Sequence, residues 1–254
     1  MGSPVLDLTH ESLAPAVRNA LRPGRFPQLT ALIGKSLAFY YRLIGKDRYD
    51  DYRLERVAGV PILVIPSVFN PKVPRTGAFL ASHLDERLVS ADAEVLDMGT
   101  GSGVCALFAA RYARRVIAVD INAAAVRCAT INACLNHLEQ RIEVRHGDLF
   151  APVRGERFDL IVFNPPFLRA APRDDRDRAW SSPDVAERFA AELGAHLKPG
   201  GAALLVLSTF GEAQAFLEQL RRRGFAISVL AERRFVNERL AIFRLEPRTW
   251  RNPA

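Results

Sequence analysis

The segment Val95-Leu96-Asp97-Met98-Gly99-Thr100-Gly101-Ser102-Gly103, followed by apolar helix-like sequence as far as Tyr112, most narrows the folds open to this chain. It reads as a strand, a glycine loop and a helix. Glycines permit positive φ and close backbone approach to a ligand, and the helix start behind them carries unpaired N–H groups. One such loop is a weak signal. A second strand over residues 116–119 strengthens it by ending in Asp120, because an acid about 20 residues past the loop is placed to accept hydrogen bonds from a ribose. Strand-like residues 142–144 then lead to a third acid, Asp148, within His146-Gly147-Asp148-Leu149-Phe150.

The apolar residues 158–163 end in Asn164-Pro165-Pro166-Phe167. The C-terminal edge of a strand is where open α/β sheets bind ligands. Each proline lacks an N–H and biases the residue before it towards an extended conformation, so the carbonyls of Asn164 and Pro165 are not consumed by a helix. An Asn side-chain oxygen and a neighbouring carbonyl can hold both hydrogens of a planar NH2 group, while the Phe167 ring offers its π-system a surface. The same residues also suit a plain turn leaving a buried strand. After them, Leu197-Lys198-Pro199-Gly200-Gly201 leads into a further strand over residues 202–207.

Strands alternating with helices require a doubly wound, mostly parallel sheet. The last two strands, residues 226–231 and 240–245, are joined by only residues 232–239, too few for a parallel crossover, so that pair is expected to be antiparallel. Upstream, residues 13–21 and 28–43 have helical apolar spacing, interrupted by Pro23, Gly24 and Pro27. Residues 53–57 and 61–65 read as a β-hairpin, and residues 76–87 as a helix leading into the first strand of the large sheet. The expected organisation is a helical segment over residues 1–55, a hairpin and linker over 56–75, and an α/β domain over 76–254, with seven strands in the large sheet.

No apolar run approaches the roughly 18–20 residues of a membrane span, and Met1-Gly2-Ser3-Pro4 lacks the charged and apolar regions of a signal peptide, so a cytoplasmic location is expected. Cys105, Cys128 and Cys134 have no metal-ligand spacing and read as small core or helix residues; no metal is expected. A formal net charge of +7 makes contact with RNA, or with a protein that works beside RNA, physically easy. The arginines at 221–223 suit the solvated end of a helix before Gly224. Residues 169–182, which follow the Asn-Pro-Pro-Phe turn, suit either a substrate-contacting loop or an ordinary connection.

With these motifs the chain resembles class I S-adenosylmethionine-dependent methyltransferases, in particular the release-factor glutamine methyltransferase group and its small-domain relatives. The resemblance runs over about residues 57–246. It rests on residues 97–103, Asp120, Asp148 and Asn164-Pro165-Pro166-Phe167, with softer matches at Asp177-Arg178-Ala179-Trp180 and Glu238-Arg239-Leu240. The archaeal and eukaryotic release-factor branch usually has Tyr where this chain has Phe167, and Phe is more usual among relatives that methylate ribosomal RNA guanine. The resemblance implies S-adenosylmethionine as cofactor. Asp97 and the loop of Gly99, Thr100, Gly101 and Gly103 would hold its methionine part, Asp120 and Ile121 its ribose side, and Asp148 and Leu149 its adenine, with Asn164 reaching both donor and acceptor. Asn164, Pro165, Pro166 and Phe167 would be catalytic. The implied partner is a protein such as a release factor. An exocyclic amine of an RNA or DNA base and a small molecule are the alternative acceptors; a nicotinamide dehydrogenase would leave the Asn-Pro-Pro-Phe turn unexplained.

Overall fold

The glycine loop and the Asn-Pro-Pro turn come together because the chain reverses its direction of travel across one sheet. In the computed structural model, which describes residues 13–22, 51–72, 75–166, 182–209, 212–235 and 238–248, β3 (Glu94–Met98), β4 (Arg115–Asp120) and β5 (Ile142–His146) are laid down outwards from the centre. The chain then returns to the other side of β3 to form β6 (Phe158–Phe163), and continues through β7 (Leu197–Ser208), β8 (Phe225–Arg234) and β9 (Arg239–Pro247). The spatial order is β5-β4-β3-β6-β7-β9-β8. Met98 pairs with Phe163, so the loop after β3 and the turn after β6 leave the sheet side by side. This is the switch point at which ligands bind in open α/β sheets.

Strands β3 to β7 run parallel to one another, while β9 runs antiparallel to both β7 and β8. The short β8–β9 connection thus gives the antiparallel pair that its length requires. Alternation along β7 sends Ala202, Leu204 and Val206 to one apolar layer and Ala203, Leu205 and Leu207 to the other. The first layer is filled by a hairpin, β1 (Arg53–Val57) with β2 (Val60–Val64), and by helices α2 (Thr76–Ala81), α3 (Val104–Ala109) and α4 (Ala123–Leu135). The second is filled by α1 (Pro15–Ala20), α5 (Val185–Glu192) and α6 (Ala213–Arg222).

Three local expectations are adjusted. The hairpin turns through two residues, Ala58 and Gly59, both at positive φ, rather than through three. Its first strand begins at Arg53, so a boundary at residue 55 falls inside a strand. Helix α2 stops at Ala81 instead of reaching residue 87: the Ser82 hydroxyl donates to the Phe79 carbonyl at 2.9 Å, and His83 Nδ1 lies 2.8 Å from the same oxygen, so side chains occupy the acceptor that a further turn would use. The helical expectation for residues 28–43, the Phe167 ring and nearly all of the 169–182 segment lie outside the described residues.

Candidate active site

A cavity of about 270 Å³ opens at the switch point. The loop after β3 forms its floor, with Thr100 N–H donating to the Val119 carbonyl at 2.9 Å and tying the loop to β4. Gly101 and Gly103 adopt φ values of +56° and +82°, and a Cβ on Gly103 would stand 3.1 Å from the Ala129 Cα. Only glycine lets the loop turn there while α4 packs so closely behind it.

Asp97 is buried at the end of β3, where its Oδ2 accepts from the Thr100 hydroxyl at 2.6 Å and from Ala106 N–H at 2.9 Å. Burial pushes its carboxyl up to about 7 against these two hydrogen bonds, with the nearby Asp120 charge adding to the rise. Asp120 ends β4. Its Oδ2 accepts from Gly101 N–H at 2.8 Å and its Oδ1 from Asn122 N–H at 2.9 Å, and burial raises its pKa as well. The glycine loop is therefore shaped by the acid that the sequence assigned to the ribose. Leu149, left-handed at φ +45°, and Ile121 also line the cavity, next in sequence to Asp148 and Asp120.

Beside the glycine loop, Asn164 and the two prolines leave β6 and line the cavity. The Asn164 Oδ1 is buried and accepts no hydrogen bond among the described residues. A buried acceptor left without a donor costs about 1–3 kcal/mol, so this oxygen in the cavity lining is a candidate to accept from a ligand. His146 makes a structural link: its Nε2 lies 2.9 Å from the Ile121 carbonyl.

Some cavity residues were not visible in the sequence. Ser67, Val68, Phe69 and Pro71, just beyond the hairpin, form part of the wall. Asn122 Nδ2 donates to the Ser67 carbonyl at 3.0 Å, while its Oδ1 caps α4 by accepting from Ala124 N–H at 2.8 Å. Fully buried Asn132 ties hairpin to loop, donating to the carbonyls of Leu63 at 2.7 Å and Ser102 at 2.8 Å and accepting from Leu63 N–H at 2.7 Å. Arg188 and Asp184, from α5 and its start, complete the lining. The lining holds four aspartates, Asp97, Asp120, Asp148 and Asp184, and among the described residues one arginine, Arg188, so the cavity is acidic although the whole chain is basic.

Residues 60–231 match the family described as "Methyltransferase small domain". The chain belongs to that family. Among its relatives, the ribosomal RNA small subunit methyltransferase C of Alcanivorax borkumensis is 35% identical over 59% of this chain and 43% of its own length, so this chain spans less than half of that protein. A Methanocaldococcus jannaschii protein named for N5-glutamine methylation is 28% identical over 73% of this chain and 95% of its own length. The solved T. thermophilus 16S rRNA N2 G1207 methyltransferase, in complex with AdoMet and guanosine, is 28% identical and superposes with a TM-score of 0.60 over 78% of this chain and 50% of that one. As a member of this family, the methyltransferase uses S-adenosylmethionine as its cofactor. The cavity suits that donor, whose ammonium and sulfonium cations match the acidic lining and whose hydroxyls and exocyclic amine require acceptors.

Proposed function

We propose that this methyltransferase methylates the nitrogen of a planar NH2 group, and that its acceptor is a glutamine side-chain amide of a translation protein such as a release factor. The observation that carries the NH2 reading is the buried Asn164 Oδ1 without a donor, at the cavity wall and followed by two prolines. The match to the relative named for N5-glutamine methylation, which covers 95% of that protein and 73% of this chain, supports a protein amide as the acceptor.

S-adenosylmethionine, when bound, supplies a methyl group made electrophilic by its sulfonium. Asp97 would hold the ammonium end, Asp120 the ribose hydroxyls and Asp148 the adenine amine, as the resemblance assigns them. The lone pair of an amide nitrogen is delocalised into its carbonyl, so the nitrogen is a weak nucleophile until it is aimed. Asn164 Oδ1 and the Pro165 carbonyl accept its two hydrogens, fixing the plane of the group and leaving the nitrogen's upper face to the donor. Holding two reactants in such a geometry can contribute many powers of ten to rate. Phe167 would lie against the face of the amide. After transfer the surplus proton passes to water.

A second reading, an exocyclic amine of an RNA base, is favoured by one feature at the sheet's C-terminal edge. The Phe235 ring, partly buried against the first apolar layer, has the Arg75 guanidinium 5.2 Å and the Arg233 guanidinium 5.6 Å from its centre, a basic patch suited to the phosphates of a nucleic-acid strand.

Transfer of labelled methyl from S-adenosylmethionine into cell lysate, split by protease and by nuclease, tests both readings. Label lost to protease and located by mass spectrometry on a glutamine supports the first; label lost to nuclease replaces it with the second. In the same assay Asn164→Ala should cut turnover about 10²–10³-fold, as does loss of one preorganised hydrogen-bonding group in other enzymes, while donor binding persists. Asp120→Ala should lose donor binding. Unchanged turnover in Asn164→Ala would remove the basis of the acceptor assignment.

A further inference from the structure

We propose that Arg188 is a positioning residue that fixes the Asp148 carboxylate for the donor's adenine amine and so sets the enzyme's choice of nucleobase. The inference rests on the reading of Asp148 as the adenine acceptor.

Asp148 follows β5 and Arg188 stands on α5, forty residues later, yet both line the cavity. Arg188 Nη2 donates to Asp148 Oδ2 at 2.5 Å, and its Nη1 lies 3.9 Å from Asp184 Oδ1. The guanidinium is thus oriented by two carboxylates. Among the described residues Asp148 Oδ1 takes no hydrogen bond, so one oxygen is committed to the arginine and the other remains to accept from an NH2 group. A planar guanidinium restricts rotation of the carboxylate it holds.

The helix carrying Arg188 is itself anchored. Phe189, the next residue, is fully buried with its ring 4.8 Å from Phe163 and 5.5 Å from Phe150. Those two rings belong to the end of β6 and to the turn after Asp148, so Arg188 is referred to both walls of the site. Each side chain of the Arg188–Asp148 pair is 42% exposed. An ion pair so exposed adds little to stability, and its effect should appear in ligand binding instead.

The discriminating chemistry lies at the purine's position 6. Adenine presents an NH2 donor there, whereas hypoxanthine presents a carbonyl acceptor that a fixed carboxylate repels. Without Arg188 the carboxylate is free to turn away from the purine's position 6, so the preference should fall.

The test is calorimetric binding of S-adenosylhomocysteine and S-inosylhomocysteine to the full chain, to Arg188→Ala, Arg188→Lys and Asp148→Asn, and to the Arg188→Ala/Asp148→Asn double variant, with thermal melts confirming that each variant folds. The wild type should prefer the adenosyl ligand. Arg188→Ala should weaken adenosyl binding about tenfold, the scale of one charge-assisted hydrogen bond, with a smaller change for the inosyl ligand. Arg188→Lys should recover part of the preference, and the Arg188→Ala/Asp148→Asn double variant should be no worse than Asp148→Asn alone. Unchanged preference in a folded Arg188→Ala would overturn the proposal, as would tighter adenosyl binding, which would make the arginine a competitor for Asp148. If the wild type binds neither ligand, the donor reading fails and the inference fails with it; if it binds both equally, only the assignment of Asp148 and Arg188 falls.

Discussion

Asp97 couples the site to pH. A carboxyl raised by burial to about 7 keeps its proton in the folded protein while the unfolded chain has already released it. Folding stability should therefore decline as pH rises from the ordinary carboxylate range to about 7 and then level off. Donor binding runs in the opposite sense. An ammonium beside Asp97 favours the ionised form, so binding should release a proton below about 7 and affinity should rise with pH until Asp97 is already ionised. Calorimetry of S-adenosylhomocysteine across pH 6–8 in buffers of different ionisation enthalpy would measure this release, which Asp97→Asn should abolish. A wild-type proton count of zero throughout would mean that Asp97 does not meet the cation.

At the scale of elements, the hairpin and the glycine loop act as one piece because Asn132 holds both. Asn132→Ala would remove its hydrogen bonds to the Leu63 N–H, to the Leu63 and Ser102 carbonyls and to Cys128 Sγ, and leave the Leu63 N–H and the Ser102 carbonyl to find other partners inside a buried contact, while the Leu63 carbonyl keeps the Cys128 thiol at 3.2 Å. We expect about 2–4 kcal/mol of lost stability, from the cost of unsatisfied buried groups, read from denaturant melts, together with weaker donor binding because the loop loses its support. A loss below about 0.5 kcal/mol, the size of an ordinary surface change, would show that packing alone holds the hairpin. This contact also explains what could be read in the sequence. Asp97, the glycines and Asp120 declared themselves because each stands at the end of an apolar run or inside a short loop, where local spacing carries the information. The β8–β9 pairing was legible from connection length. Asn132, Asn122, Ser67 and Arg188 were not, since each acts on a partner 30–69 residues away, and a lone Asn or Arg in a helix looks the same whether or not it has such a partner. The end of α2 was missed for the converse reason: its apolar spacing continues, but Ser82 and His83 compete for the carbonyl that would extend it.

For the molecule as a whole, β9 is the strand that closes the sheet. It lies between β7 and β8, so β8 has no pairing with the parallel strands except through it. Leu240, Ile242, Phe243 and Leu245 are fully buried and reach both apolar layers. Ending the chain before Arg239 should therefore cost far more than the nine residues of β9 alone, freeing β8 and exposing one edge of β7. Such a protein should lose its cooperative melt and bind a hydrophobic dye; a retained sharp transition would mean that β8 can pair elsewhere. The same arrangement bears on how the enzyme is made. During synthesis the twelve-residue β7 leaves the ribosome well before the strand that covers its flank, and until residues 239–247 follow, it is an apolar edge open to pairing with any other chain. A slow stretch of translation between β7 and β9 would lengthen that exposure, making the pace of translation over residues 209–239 a determinant of how much enzyme a cell recovers.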